Sequence, residues 1–246
     1  MSRNKYLDMF YWQEDGDFYR AYFENCDFAK NPRDFDEPLG KIVNASKYCI
    51  NGRNDEFTDN PEEWLIYETG INQDWYESHN NYTQEDLLTK FKKQCLACFP
   101  ISIYDHSGIT VSIGYRYGWD CSNIGYIYVK KDNPEVVDYR KKHTLAETKE
   151  WAEKILEAEI KALDDWCVGN VYNIVKEKLD QEIGVWEYDE SCCEIYFDEN
   201  YKEFECVKDI YGNHEFITEK EFDRLYNNNL LDTVKGQRVF EFIEVV

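Results

Sequence analysis

The stretch from about residue 100 to 130 constrains the fold more than any other part of the chain. Its runs 101–104, 109–113 and 124–129 are rich in β-branched and aromatic residues, and apolar and polar positions alternate in the first two. A period of two is typical of strands with one buried face. Asp-His-Ser-Gly at 105–108 separates the first two runs as a tight turn. Strand, turn, strand, loop, strand predicts an antiparallel meander.

Helical patterns surround this sheet. A capping box, Thr144-x-x-Glu147, opens the longest predicted helix, which runs to about Trp166 with one apolar face interrupted at Glu159. A helix of this kind is suited to lie across a sheet. Further helices are predicted over 61–68, 84–98, 199–210 and from Thr218, and further strands over 171–177, 185–188, 194–197 and 239–245. The sequence therefore predicts an α+β fold with an antiparallel sheet packed by helices.

The two ends of the chain differ in composition. Aromatic residues crowd 1–30 on both sides of an Asp-Gly turn at 14–17, which predicts a hairpin. The polar stretch 42–58 has no clear period and is predicted to be loop. We expect a main domain over 1–198, including the aromatic hairpin, and an acidic C-terminal appendage over 199–246 packed on it.

Charge is the strongest global signal. The chain has 50 acidic and 28 basic residues, a net charge of −22, and residues 181–246 alone hold 17 acids and 6 bases. This sign argues against direct binding to nucleic-acid phosphates and favours a basic partner surface. The candidate partner-binding acids are Glu187, Asp189, Glu190, Glu194, Asp198, Glu199, Glu203 and Glu205. Carboxylates about 5–8 Å apart on a rigid scaffold can imitate DNA phosphates; the alternative is a solvated face that only confers solubility.

The run Asp105, His106, Ser107 has the residue types of a hydrolase triad, but adjacent side chains diverge whereas a triad must converge. The simpler interpretation is a turn in which Asp105 bonds to backbone N–H groups and Gly108 supplies positive φ. The alternative site is Asp105, His106 and Asp120, meeting across two loops as an acid/base or metal site. A straight strand over 109–117 would separate those loops by roughly 25 Å, which argues against it.

Nine cysteines and no leader or long apolar run predict a chain without signal peptide or membrane span, whose thiols stay reduced in the cytoplasm. Cys95-x-x-Cys98 is half of a zinc site, and the adjacent pair Cys192-Cys193 is a poor second half. A redox pair favours a helix N-terminus, whereas this one is predicted at a C-terminus. Core thiols are the favoured interpretation, with no metal and no cofactor expected.

Phosphate-binding and hydrolase motifs are missing from the sequence: there is no Walker motif, HExxH or GxSxG. Three segments, NPRD at 31–34 with Leu39-Gly40, PISIYDHSGIT at 100–110 and WDCSNIGYIYV at 119–129, resemble a widespread family of uncharacterised proteins of Firmicutes phages and mobile elements. No catalytic residue is established for that family, so none is carried over. The resemblance implies a viral or mobile-element origin and a cytoplasmic location in an infected bacterial host.

These observations favour a non-enzymatic anti-defence protein that inhibits a bacterial nuclease, of anti-CRISPR or antirestriction type. Acidic residues would bind a Lys/Arg-lined groove of the nuclease, and imitation of DNA is one way in which they could do so. Aromatic residues would supply binding hot spots. One alternative is a small enzyme or a metal- or ligand-binding module that uses the loops 105–108 and 118–123. Another is a regulatory or structural phage protein without a defence role.

Overall fold

The computed structural model divides the chain into two compact units. The terminal unit comprises residues 1–29 and 169–246, and the central unit comprises 30–168. The residues that the structure describes are 9–35, 38–44, 50–79, 82–180, 183–197, 203–212, 214–218, 220, 232–234 and 237–238. No helix among these is long and apolar enough to cross a membrane. The predicted division at 198/199 stays a prediction, because much of 199–246 lies outside the described ranges.

Helices and strands are both abundant, and the two main sheets are mostly antiparallel, so the predicted α+β class is confirmed. The strands are β1 (Phe10–Glu14), β2 (Asp17–Asn25), β3 (Lys41–Asn44), β4 (Glu56–Phe57), β5 (Cys95–Asp105), β6 (Ile109–Ile113), β7 (Cys121–Lys130), β8 (Tyr172–Asp180), β9 (Val185–Ile195), β10 (Ile217–Thr218), β11 (Asp232–Val234) and β12 (Gln237–Arg238). The helices are α1 (Pro61–Thr69), α2 (Gln73–Ser78), α3 (Gln84–Gln94), α4 (Pro134–Arg140), α5 (Leu145–Val168) and α6 (Glu203–Tyr211), with a 3-10 turn at Pro32–Asp34.

The central sheet has the strand order β4-β3-β7-β5-β6, in which only the short β3–β4 pair is parallel. The three predicted strands near 100–130 are present and antiparallel, but they do not follow one another as a meander. Strand β5 lies between the other two: Ile103 is opposite Val111 of β6 on one side and Ser122 of β7 on the other. The loop 114–120 carries the chain across β5, where the Ser102 hydroxyl donates to the Gly114 carbonyl at 2.8 Å.

Helix α5 covers one face of this sheet, as predicted. Its residues Ala152, Leu156, Ile160 and Leu163 are buried in one apolar core with the sheet residues Ile101, Ile103, Val111, Ile124, Ile127 and Val129. The predicted capping box is present: the Glu147 amide donates to the Thr144 hydroxyl, and the Thr144 amide donates to the Glu147 carboxylate. The outward-facing amide of Val111 donates to Asp164 at 2.7 Å, so α5 also satisfies part of the β6 edge.

The polar interruption at Glu159 belongs to a buried ion cluster. Arg33 is 2% exposed and forms two hydrogen bonds with Asp55, at 2.5 and 2.6 Å. Its other donors reach Glu159 at 2.9 Å and the Gly40 carbonyl at 2.6 Å. The pKa of Glu159 is raised, because burial of the carboxyl outweighs the opposing effect of Arg33. NPRD with Leu39-Gly40, the first of the three segments quoted for the resemblance, therefore has a structural role in this fold.

The opposite face of the central sheet is covered by α1 and α3. A second core joins Leu65 and Ile66 of α1 and Leu87 and Phe91 of α3 to Val43 and Tyr128 of the sheet. Helix α1 begins and ends as predicted, with Asn60 as N-cap and Gly70 in the left-handed region. Two predictions are wrong here: 42–58, predicted to be loop, includes most of β3 and all of β4, and α3 ends at Gln94. Cys95 and Cys98 lie on β5 instead of a helix, because sheet pairing overrides the weak helical period at that point.

The terminal unit contains an antiparallel sheet of order β10-β1-β2-β8-β9. The predicted aromatic hairpin forms its first part: Glu14 is opposite Asp17, and Asp15 and Gly16 have φ of 52° and 93°. Two positive φ values in succession are what a two-residue type I′ turn requires. The sheet continues through the pairing of β2 with β8, as in Phe23 opposite Ile174.

Helix α6 packs one face of the terminal sheet. Cys206 and Val207 join Trp12, Ala21, Phe23 and Ile174 in a buried core. The strand predicted over 185–188 and the first half of the strand predicted over 194–197 belong to one strand, β9, which ends at Ile195 and has two irregularities in its register. The predicted closing strand over 239–245 and most of the helix predicted from Thr218 lie outside the described residues.

Candidate functional site

The acidic run 187–190 lies on β9, the edge strand of the terminal sheet among the described residues. Every side chain from Glu187 to Cys193 is exposed, so this part of the strand faces solvent on both sides. Glu187, Asp189 and Glu190, three of the predicted partner-binding acids, therefore share one short, accessible segment. Acidic side chains on an edge strand also discourage edge-to-edge aggregation.

The register in which β9 pairs with β8 determines which of these acids share a face of the sheet. Glu187 is opposite Lys178 and Glu190 is opposite Lys176, and the register shifts between those two pairs so that Asp189 is an extra residue. Residues two apart on a strand share a face of the sheet, so Lys176 and Lys178 lie on one face. Directly opposed residues also share a face, so the shift brings Glu187 and Glu190 onto that same face. Their partners on β8 are two positions apart, which corresponds to a spacing of about 7 Å.

The lysines on β8 neutralise part of this charge. Lys176 lies 2.9 Å from the Asp189 carboxylate and 3.1 Å from that of Glu190, and its ammonium is 4.6 Å from the centre of the Tyr19 ring. Burial disfavours the Lys176 ammonium, but its hydrogen bonds to the two carboxylates outweigh burial and raise its pKa. Glu187 has no basic partner among the described residues.

Glu187 borders an acidic hollow of about 620 Å³ at one end of the sheet, together with Asp15, Asp17 and Asp180. These residues meet because β2 and β8 are antiparallel, which places the β1–β2 and β8–β9 turns at the same end. The hollow also contains Lys178, which forms an ion pair with Asp17 at 2.6 Å and whose pKa is raised by that hydrogen bond. Sequence reasoning missed the three aspartates. The pairing of β2 with β8 brings Asp15 and Asp17 to Glu187, and the pairing of β8 with β9 brings Asp180 there.

The remaining predicted acids are more dispersed. Glu194 is half-buried at the far end of β9, where its φ of 63° accompanies a second register shift. Glu203 and Glu205 lie in the first turn of α6, where carboxylates favour the positive end of the helix dipole. Asp198 and Glu199 lie outside the described residues.

The alternative site lies in the central unit, and its three residues do come together. The His106 Nδ1 is 3.1 Å from the Asp120 carboxylate, and the Asp105 amide donates to the Asp120 carbonyl at 2.8 Å. The predicted separation of roughly 25 Å is therefore wrong. It assumed a straight strand to residue 117, whereas β6 ends at Ile113 and the loop returns the chain to β5.

This dyad is open to water, since the His106 side chain is 65% and the Asp120 side chain 43% exposed. The turn that carries His106 is the predicted hairpin turn, but Ser107 holds the positive φ of 62° instead of Gly108. An exposed imidazole–carboxylate pair can hold and orient a proton, although water screens the interaction. Among the described residues no group of three His, Cys, Asp or Glu side chains is arranged to hold a metal ion.

The Cys95-x-x-Cys98 pair lies where β5 and α3 meet the second core. The Cys95 thiol donates to the Phe91 carbonyl at 3.5 Å. The interaction between the two neighbouring thiols raises the pKa of buried Cys95 and lowers that of Cys98, and Lys92 lowers the pKa of Cys98 further. Cys192 and Cys193 are in the other unit, on exposed β9. Comparison with known proteins adds no further assignment: no family model, curated protein or solved structure matches the chain.

Proposed function

We propose that this protein is a phage or mobile-element anti-defence protein that inhibits a bacterial nuclease, of anti-CRISPR or antirestriction type. It acts by protein–protein contact in the cytoplasm of an infected bacterial host, without catalysis. The acidic end of the terminal sheet binds a basic surface that the nuclease uses for nucleic acid. The partner is a basic nuclease or nucleoprotein complex.

One observation carries the proposal: Glu187 belongs both to an exposed acidic edge strand and to the acidic hollow that Asp15, Asp17 and Asp180 border. Charge supports it, since the terminal unit holds 25 acids and 11 bases, a net −14 of the chain's −22. The backbone positions opposite Glu187 and Glu190 are about 7 Å apart, a spacing close to that of backbone phosphates along a DNA strand. The hollow gives room for lysine or arginine side chains of the partner.

The test is capture of a basic nucleic-acid-binding protein from a nuclease-bearing host by the full chain, at salt from about 50 to 500 mM, the range over which exposed charges become screened. The triple variant Glu187→Gln/Asp189→Asn/Glu190→Gln should weaken capture about tenfold or more at low salt. The captured nuclease should also lose activity on DNA when the wild-type protein is added.

The matched control is Glu62→Gln/Glu150→Gln/Glu157→Gln, which removes the same charge from exposed helix positions in the central unit. It should leave capture unchanged. A captured partner that is not basic, binding that is indifferent to salt, or equal losses in both triple variants would refute the acidic surface as the contact.

A second candidate function is a small enzyme or ligand-binding module at the loops 105–108 and 118–123. The contact between His106 and Asp120 favours it, since those loops meet. The separate variants Asp105→Ala and Asp120→Ala, with elemental analysis for zinc, test it. Variants that stay folded but lose a bound metal or an activity would support this function. Variants whose metal content and activity equal those of wild type would exclude it.

A further inference from the structure

Cys95 and Cys98 share one face of β5, although they are three positions apart. Cys95 is opposite Lys130 of β7, and Cys98 is opposite Tyr128, two positions earlier on that strand. Three steps along β5 therefore match two steps along β7, and one residue between the cysteines is extra, as in a β-bulge. Because residues two apart on β7 share a face, and directly opposed residues do too, both cysteines lie on the same face.

Burial agrees with this placement. Leu96 and Ala97, between the cysteines, belong to the core that α5 covers, whereas Cys95 and Cys98 belong to the second core, beneath α1 and α3. The two opposed positions on β7 are about 7 Å apart, which is the upper limit of the Cα separation that a disulfide spans. The two sulfur atoms can therefore be joined with little movement of the backbone.

The surroundings of the two thiols differ. Cys95 is 4% exposed and is the C-cap residue of α3, where the negative end of the helix dipole disfavours a thiolate. Its thiol donates to the Phe91 carbonyl. Cys98 is only partly buried, and its pKa is lowered by its interaction with the Cys95 thiol and by Lys92. Cys98 is therefore the thiol that ionises first, while Cys95 keeps its proton.

A small oxidant has a path to Cys98. Lys92 and Tyr126, which both interact electrostatically with the Cys98 thiol, line an open groove of about 530 Å³. Cys167 provides a contrast, because burial raises the pKa of its thiol to about 11. Since the thiolate is the nucleophilic form, Cys98 has the more reactive environment of the two.

We propose that Cys98 and Cys95 form a reversible redox site that hydroperoxides oxidise to a disulfide. The Cys98 thiolate attacks one peroxide oxygen, so a sulfur–oxygen bond forms and the oxygen–oxygen bond breaks. The leaving alkoxide or hydroxide takes up a proton, so the peroxide is reduced to an alcohol or water and Cys98 is oxidised to a sulfenic acid. The Cys95 sulfur then attacks the Cys98 sulfur, and its proton leaves with the sulfenic hydroxyl group as water.

The experiment treats the reduced full chain with hydrogen peroxide, alkylates the remaining thiols and maps the tryptic peptides by mass spectrometry. Trypsin releases the peptide 94–116, which contains these two cysteines and no other. We expect this peptide to lose the mass of two hydrogen atoms, to escape alkylation and to regain both thiols after treatment with dithiothreitol. In Cys95→Ser, Cys98 should remain a sulfenic acid that dimedone traps.

Lys92→Gln tests whether the charge beside Cys98 sets its reactivity. It should slow the oxidation about threefold or more at pH 7, because it lowers the fraction of thiolate. Lys90→Gln is the matched control and should leave the rate unchanged, since it removes the same charge from an exposed position of α3, and residues two apart on a helix do not face each other. In wild type, the rate should reach half its maximum below pH 9.0, the ordinary pKa of a thiol.

The wild-type peptide map needs no variant, and circular dichroism shows whether each variant keeps the fold. The proposal is overturned if 94–116 keeps both thiols while the exposed Cys192 and Cys193 are oxidised. It is also overturned if Cys98 proceeds to a sulfinic acid in the presence of Cys95, or if Lys92→Gln and Lys90→Gln react alike. This site lies in a different unit from the acidic surface and does not rest on the proposed nuclease inhibition.

Discussion

Replacement of Arg33 by methionine should be among the most damaging single substitutions in the central unit. It removes the cation that faces Asp55 and Glu159, and it removes a donor to the Gly40 carbonyl. The Asp55 side chain is 1% exposed and that of Glu159 16%, so neither carboxylate regains full hydration. Breaking a buried ion pair by removing one partner costs about 3–5 kcal/mol, because a buried charge is left uncompensated.

Urea unfolding followed by circular dichroism measures this loss. With a denaturant slope of about 2 kcal/mol per M, the midpoint of Arg33→Met should fall by roughly 1.5–2.5 M at pH 7. The deficit should shrink as the pH is lowered toward 5, because without Arg33 nothing opposes the burial that raises the pKa of Glu159, and protonation of Glu159 removes one buried charge. Arg53→Met, at an exposed position two residues before Asp55, is the control and should change stability by less than about 0.5 kcal/mol.

The double variant Arg33→Met/Glu159→Met separates the ion cluster from simple packing. Since it removes one of the unpaired carboxylates, it should be more stable than Arg33→Met alone, as buried pairs replaced by apolar groups often are. Asp55 keeps its backbone bonds from Ile42 and Gly52, both 2.8 Å. A loss below about 1 kcal/mol in Arg33→Met, or no recovery in the double variant, would refute the reasoning about the buried charge.

Three further changes test other parts of the fold. Glu159 has a folded-state pKa above its ordinary value of 4.5. The stability that its protonated carboxyl contributes is therefore fully present below pH 4.5 and is lost as the pH rises through the folded pKa. Glu159→Gln should remove this loss, and a variant whose free energy of unfolding has the same pH dependence as that of wild type would contradict the prediction. Gly52→Ala would bring a Cβ within 2.3 Å of the Arg33 carbonyl oxygen, so thermal unfolding should show a clear loss, whereas an unchanged melting temperature would disprove the close approach. Thr144→Ala removes the capping hydroxyl of α5 and should cost about 1 kcal/mol; a chemical-denaturation midpoint equal to that of wild type would show that the cap is not needed.

Local signals were sufficient for much of the secondary structure. The Asp-Gly turn at 15–16, the cap and Gly70 stop of α1 and the capping box of α5 are each set by a few neighbouring side chains. These are confirmed because their chemistry is satisfied within one or two turns of chain. The prediction of loop over 42–58 failed, since two short strands with no alternating pattern become strands only by pairing with each other and β7.

In the candidate site, too, the sequence indicated neighbouring residues but not the distant ones that pairing brings to them. Sequence placed Glu187, Asp189 and Glu190 in one acidic run, and the structure puts them on one exposed strand. It did not indicate Asp15 or Asp17, which are more than 160 positions away in the chain.

By itself the sequence determined the α+β class, the helix that covers the central sheet, the aromatic hairpin and the acidic character of the C-terminal part. Tertiary structure alone decided that β5 lies between β6 and β7, that His106 meets Asp120, and that Glu159 has a buried cation as its partner. The physical reason is the separation along the chain of the residues that interact. Caps, turns and periodicity depend on neighbours along the chain, whereas strand order, ion clusters and grooves depend on which distant segments exclude water from one another.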